Sequence, residues 1–255
     1  MRRMLEPLVT PLTLMALWEL SSRSGWIDPA FFPPPTAVLI RLAELLFQDA
    51  GFRQHLSDSG YRLVAAVLIA APAAVALGVA SELNALLGRL LRPLVALTYP
   101  LPKLALFPLL LVILGVGDGS KIALIAIGVF FLVLINTAKG VRGVLRSGYL
   151  DITRVYRVPR HTVIHQVILK GAFPDILIGL KAGIGYGLVM VVASEYTVSR
   201  TGIGVFIWNA WDQFRIMDIY SGIFSISLIG LAISAFFDWL EGRLPGKKPV
   251  DQIFS

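Results

Sequence analysis

Residues 139–174 read KGVRGVLRSGYLDITRVYRVPRHTVIHQVILKGAFP, and this stretch decides the fold. It carries Lys139, Arg142, Arg146, Arg154, Arg157, Arg160 and Lys170 against one acid, Asp151. Long apolar segments flank it on both sides. A dense basic loop between membrane spans stays on the cytoplasmic side, because Lys and Arg near span ends resist translocation. Asp151-Ile152-Thr153-Arg154 is suited to open a helix, with Asp151 at the end where the helix dipole favours negative charge. Pro159 breaks or restarts that helix, and residues 162–169 form the next one. These residues fit both a docking element and a solvated loop that only sets orientation.

The composition agrees with a membrane setting. Of the 255 residues, 56% are hydrophobic and 15% charged, well short of the charge a soluble domain carries, and the mean hydropathy is +0.75. The net charge of +7 does not point to nucleic acid, because the basic residues cluster between apolar runs instead of forming a reader surface. With no cysteine, disulfides, thiolate metal sites and cysteine nucleophiles are excluded.

About six spans are expected in an all-α, polytopic chain treated as one domain over residues 1–255. They fall at residues 7–22, 61–80, 93–114, 121–138, 176–196 and 219–240. The first contains Glu19 and two prolines; Ser22-Arg23-Ser24 is a poor cleavage site, so the segment reads as a retained span. Between the first two spans, Pro33-Pro34-Pro35-Thr36 starts a surface helix with Thr36 as its N-cap. Val38, Leu39, Leu42, Leu45 and Leu46 form one face of that helix. Residues 81–92 read as a short polar loop, and residues 201–218 as a loop with interfacial Trp208 and Trp211. Pro100, Pro102 and Pro108 predict a bent or broken third span. With both termini inside, the inner Lys and Arg residues outnumber the outer two to one.

Several local motifs carry little chemistry. The pair in 161–165, HTVIH, lacks the glutamate of a metalloprotease helix. The run 183–187, GIGYG, precedes no strand and suits close helix packing, as does Gly179 with Gly183. No G-x-x-x-x-G-K-S/T phosphate loop occurs. Charges inside spans are costly and commonly face a pathway or a partner. Lys103 beside Pro102, Lys181 and Glu195 are therefore candidates for a translocation path. The plainer readings are that Lys181 and Glu195 reach an interface and that Lys103 satisfies carbonyls freed by the break. An ion-driven secondary transporter is the alternative; it calls for repeated halves with matching broken helices, and only one proline-broken span is visible. A membrane enzyme would need an Asp, His or Ser cluster at a span end, which is not evident.

Taken in order, the motifs resemble the permease subunit of bacterial ATP-binding cassette importers. The similar branch handles nitrate, sulfonate, taurine, bicarbonate and related small solutes, and thiamine-precursor pyrimidines. The resemblance rests on 31–35, FFPPP; 99–108, YPLPKLALFP; 115–121, GVGDGSK; 178–183, IGLKAG; 193–195, ASE; and 201–204, TGIG. The family's E-A-A signature, followed by a glycine and an apolar-Leu-Pro ending, forms the coupling helices that sit in a cleft of the ATPase. Here Asp151-Ile152-Thr153 stands at E-A-A, Arg157 at the glycine, Lys170 where proline is usual, and Pro174 at a second family proline. Arginine takes positive φ only at a cost, so the turn after the first coupling helix is expected to differ from the family's.

The resemblance implies a type I importer permease fold, with residues 139–174 as a cytoplasmic coupling loop. It implies docking on a cytoplasmic ATPase through Asp151, Arg154, Val155, Tyr156, Arg157 and Arg160. It further implies an extracytoplasmic substrate-binding protein and a second permease subunit, a homodimer ahead of a heterodimer. The setting is the bacterial inner membrane and its lipid, with both termini cytoplasmic. No cofactor is expected on this chain, since ATP is hydrolysed by the partner, and no nucleic acid partner is implied.

Overall fold

The computed structural model describes residues 2–243, without the side chains of residues 2–8, Tyr149, Ile152 and Arg154. Its regular elements are all helical. They are α1 (Arg2–Arg23), α2 (Pro35–Gln48), α3 (Ala50–Leu83), α4 (Ala85–Thr98), a 3₁₀ turn (Lys103–Leu106), α5 (Phe107–Leu114), α6 (Asp118–Arg146), α7 (Tyr149–Val155), α8 (Arg160–Val198), α9 (Ile203–Asp212) and α10 (Ile216–Gly242). A π-helical stretch, Val163–Ile168, lies within α8.

Four of these, α3, α6, α8 and α10, are long and apolar enough to cross a membrane, and the pair α4 and α5 makes a fifth if counted as one bent span. That is fewer than the six expected from sequence. The first expected span is helical but is not among them: Glu19, two prolines and the flanking arginines dilute its apolar character. The third span is broken, as its prolines predict. α4 and the segment Lys103–Leu114 meet at 94°, with Pro100 and Pro102 in the gap.

Several expected loops prove helical. Residues 81–92 are interrupted only at Asn84, whose side chain accepts from the Leu86 and Leu87 N–H groups and so caps α4. Residues 139–146 finish α6 and residues 203–212 form α9, while the helix expected at 162–169 is present as the opening of α8. In each case the backbone goes on satisfying itself beyond the apolar run, which polarity alone does not reveal. At the surface helix, Pro34 rather than Thr36 holds the N-cap position, and its side chain makes no capping bond. Thr36 sits one position inside the helix and gives its N–H to Glu19 Oε2 at 3.0 Å and its hydroxyl to Oε1 at 2.7 Å. Glu19 thus serves a free helix N-terminus, which explains an acid in an otherwise apolar helix.

The described residues divide into two compact units, one of residues 2–59 with Glu195–Ile229, the other of Gly60–Ser194 with residues 230–243. In the first, Val38, Leu42, Leu45, Phe52 and Phe206 are buried, and Phe52 meets Phe206 edge to face at 4.8 Å. Asp218 joins Arg41 Nε at 2.8 Å and Arg215 Nη1 at 2.6 Å, tying α2 to the start of α10. The hydrogen bond to Asp218 holds the Arg41 guanidinium above its ordinary pKa.

In the second unit, α6 and α8 pack through small residues. A Cβ at Gly179 would stand 2.8 Å from Asn136 Cβ, and one at Gly128 would stand 2.8 Å from the Tyr186 ring. Such close approach lets dispersion hold helices together where lipid removes the hydrophobic driving force between them. Val141, Val144, Ile168, Ala172 and Ile176 form a buried cluster at the base of α6 and α8, and Leu150 of α7 packs on it.

Candidate functional site

The segment 148–160 is packed down at one end and exposed at the other. Gly148 turns the chain out of α6 with φ +78°, and the Asp151 N–H closes back on its carbonyl at 3.1 Å. Leu150 fastens α7 to the cluster beneath it. At the far end the Val158 N–H returns to the Thr153 carbonyl at 3.0 Å, and Arg157 takes φ +49°. Together these form a Schellman ending with Arg157 where a glycine is usual. The turn was expected to depart from this form; instead Arg157 adopts the left-handed conformation, at a cost of roughly 1–2 kcal/mol. Pro159 then caps the N-terminus of α8 without a donor to waste.

This geometry pushes Val155 and Tyr156 outward, 79% and 77% exposed. Asp151, Arg157 and Arg160 are exposed around them, while the Arg154 side chain lies outside the described residues. An aromatic and a branched aliphatic residue at a helix end, within a basic rim, offer an anchor for a partner's cleft. His161 and His165 are exposed on α8 beside this segment.

The three path candidates, Lys103, Lys181 and Glu195, each have their own partners. Lys103 is buried and donates its Nζ to the carbonyls of Tyr99 and of Thr98, the latter at 3.2 Å. These carbonyls end α4, so the ammonium meets the negative end of the helix and the groups freed at Pro100 and Pro102. The rings of Tyr99 and Phe131 lie 5.1 and 5.4 Å from the same nitrogen. Lys181 pairs with Asp238.

Glu195 is 1% exposed. Ser59 Oγ stands 2.8 and 2.9 Å from its two carboxylate oxygens, and the Gly204 N–H donates to Oε2 at 2.9 Å. The Ser59 hydroxyl also accepts the Ile203 N–H at 2.8 Å, and His55 Nδ1 accepts the Gly202 N–H at 2.9 Å. The loop 201–204 is therefore held by three side chains that satisfy the open N-terminus of α9.

Sequence reasoning missed Ser59 and His55 in this shell. The available signal was the 201–204 TGIG run itself, a helix start lacking its own capping side chain. It also missed Glu82 at the end of α3, whose carboxylate Arg142 grips through Nη2 at 2.7 Å and Nε at 3.1 Å.

Residues 43–247 match the family described as binding-protein-dependent transport system inner membrane component. The chain is 29% identical to the putative aliphatic sulfonates transport permease of Bacillus subtilis, over 94% of this chain and 86% of that one. It is 31% identical to the taurine transport system permease of Escherichia coli, over 91% and 85%. It is 32% identical to the bicarbonate transport system permease of Synechococcus elongatus, over 93% and 88%.

Proposed function

The chain belongs to the binding-protein-dependent transport inner membrane component family, the permeases of ATP-binding cassette importers, and from that premise we propose how it couples. The segment 150–160 is the contact with a separate cytoplasmic ATPase. Val155 and Tyr156 are the anchors, Arg154, Arg157 and Arg160 the rim, and Asp151 the residue at the positive end of α7. The observation that carries this reading is the exposure of Val155 and Tyr156 at the end of a short helix whose other end is packed down. No phosphate loop stands in the sequence, in keeping with ATP hydrolysis on another chain. ATP-driven closure of the ATPase pair then moves the coupling segments and alternates access through two permease copies, a homodimer ahead of a heterodimer. An extracytoplasmic binding protein delivers the solute.

The cargo we propose is a small solute of the kind named for the relatives: a sulfonate, taurine or bicarbonate. Beside the path we place Pro102, Lys103, Lys181 and Glu195. Their contacts support a bracing role, Lys103 on the broken end of α4 and Glu195 on the loop before α9. With α1 and the bent pair counted as spans, the basic bias puts both termini in the cytoplasm.

Copurification and hydrolysis test the reading. Mild-detergent purification should bring down a soluble ATPase, and the stripped chain should hydrolyse no ATP above background. Hydrolysis that persists without a partner, and is lost on mutating this chain, overturns it.

A further inference from the structure

A groove of about 590 Å³ runs between α4 and α6, lined by no residue of the 150–160 segment. Leu91 and Val95 of α4 and Leu134 and Ile135 of α6 line its walls. At its other end stand Arg92, Lys139 and Arg142, with Glu82 as the only acid in the lining. The Glu82 side chain is 5% exposed and is already satisfied by the two-nitrogen grip of Arg142, with Arg92 Nη2 more distant at 3.4 Å. The Lys139 ammonium lies 3.8 Å from Asp175, beyond hydrogen-bonding distance. The side chains of Arg92 and Lys139 are 62% and 73% exposed. Three cations face two carboxylates, Glu82 and Asp175, which leaves the polar end one positive charge in excess, and Arg92 and Lys139 have donors to spare.

We propose that this groove binds an anionic phospholipid, the phosphate on Arg92 and Lys139 and an acyl chain along the Leu91–Val95 and Leu134–Ile135 walls. The arrangement, a basic end closing an apolar channel between membrane helices, matches both halves of such a lipid, and basic pockets between spans are known headgroup sites. A zwitterionic lipid such as phosphatidylcholine would bring the same phosphate but set a quaternary ammonium of like sign beside the cations. A free phosphate would answer the cations and leave the walls bare. The Arg142–Glu82 pair forms the floor and keeps its own partner whether or not lipid is bound.

Native mass spectrometry of the purified transporter, titrated with phosphatidylglycerol or phosphatidylcholine of matched chains, tests this. Wild type should retain phosphatidylglycerol preferentially. Each cation near a membrane surface contributes about 1 kcal/mol, so Lys139→Gln alone should cut that preference about fivefold, and Arg92→Gln with Lys139→Gln about 30-fold. Arg146→Gln with Lys170→Gln, basic residues outside the groove, should leave it unchanged. Soluble glycerophosphate should not displace the lipid. Four results would overturn the proposal: no headgroup preference in wild type, an equal loss in the Arg146 and Lys170 control, displacement by glycerophosphate, or a cross-link between Ala96→Cys copies showing that a second permease covers the groove.

Discussion

Ser59 and Glu195 lie 136 residues apart in the chain and meet in a buried hydrogen bond, 2.8 Å from the hydroxyl to one carboxylate oxygen. The same hydroxyl accepts the Ile203 N–H, so a single side chain fixes both the acid and the loop it serves. Replacing Ser59 with Ala removes a donor from a buried carboxylate and an acceptor from a buried amide. A cost of about 1–3 kcal/mol is expected. Thermal unfolding of the purified protein should register it, and a midpoint equal to wild type would show that Ser59 holds nothing.

Gly202 gives a sharper form of the same test. Its φ is +123°, and a Cβ there would stand 2.2 Å from the Glu195 carboxyl carbon. Gly202→Ala should therefore displace the loop from Glu195 rather than merely strain it. Limited proteolysis between residues 198 and 203 reports this directly, and cleavage no faster than in wild type would contradict the packing.

The Arg142–Glu82 pair predicts an asymmetry. Arg142→Ala leaves the Glu82 carboxylate buried with only the distant Arg92, at an expected cost of about 2 kcal/mol. Arg142→Lys keeps the charge but loses the two-nitrogen fork, so it should recover only part of that. Glu82→Ala combined with Arg142→Ala should be less damaging than Arg142→Ala alone, because no unpaired charge remains. Thermal midpoints of the three variants decide it, and a double variant worse than the single would refute the pairing.

The apolar runs made the long helices legible, since lipid demands consecutive apolar residues and satisfied backbone. The prolines at 100 and 102 made the break legible. Helix ends were not legible, because residues 50–60 and 139–146 are polar yet hydrogen-bonded in register, and composition records hydration rather than backbone pairing. The charge partners were hidden for another reason. Glu19 with Thr36 and Glu82 with Arg142 are 17 and 60 residues apart, and nothing local in the chain announces such pairs. For Arg157, propensity argued against a left-handed residue, and the closure of Val158 on Thr153 overrode it.

That override separates conformation from charge. Arg157→Gly and Arg157→Val both remove the guanidinium. Glycine accepts φ +49° and should relieve about 1 kcal/mol of strain, whereas a β-branched valine is a genuine outlier there. Recovery of the ATPase in a pulldown should stay near wild type with Arg157→Gly and fall with Arg157→Val. Equal losses in both would assign the effect to charge alone.

Orientation follows from the basic bias and is open to labelling. Ser147 and Asn209 are both exposed, one at the turn before α7 and the other on α9. A cysteine at Ser147 should resist an impermeant maleimide added to intact cells, and one at Asn209 should react. The reverse pattern would invert the whole chain and move the coupling segment to the wrong side for an ATPase.

Tyr156 carries the coupling proposal. Its side chain is 77% exposed at the end of α7, beside Val155, on a helix that Leu150 holds down. Aromatic anchors seated in a partner's pocket dominate interface energy, while charged rims govern encounter and register. Tyr156→Ala should therefore cost about 2 kcal/mol or more of ATPase affinity, about 30-fold in the dissociation constant, mostly through faster release. Membrane insertion should not change, because the side chain is largely exposed. Arg142 is unsuitable as a comparison, since losing it strands Glu82; Arg146, exposed at the end of α6, is the neutral choice. Pulldown of the ATPase at matched membrane levels, together with uptake of labelled solute, compares Tyr156→Ala, Arg146→Ala and wild type. If Tyr156→Ala binds and transports as wild type does, the ATPase grips another surface, and the exposed ending of α7 is only a turn.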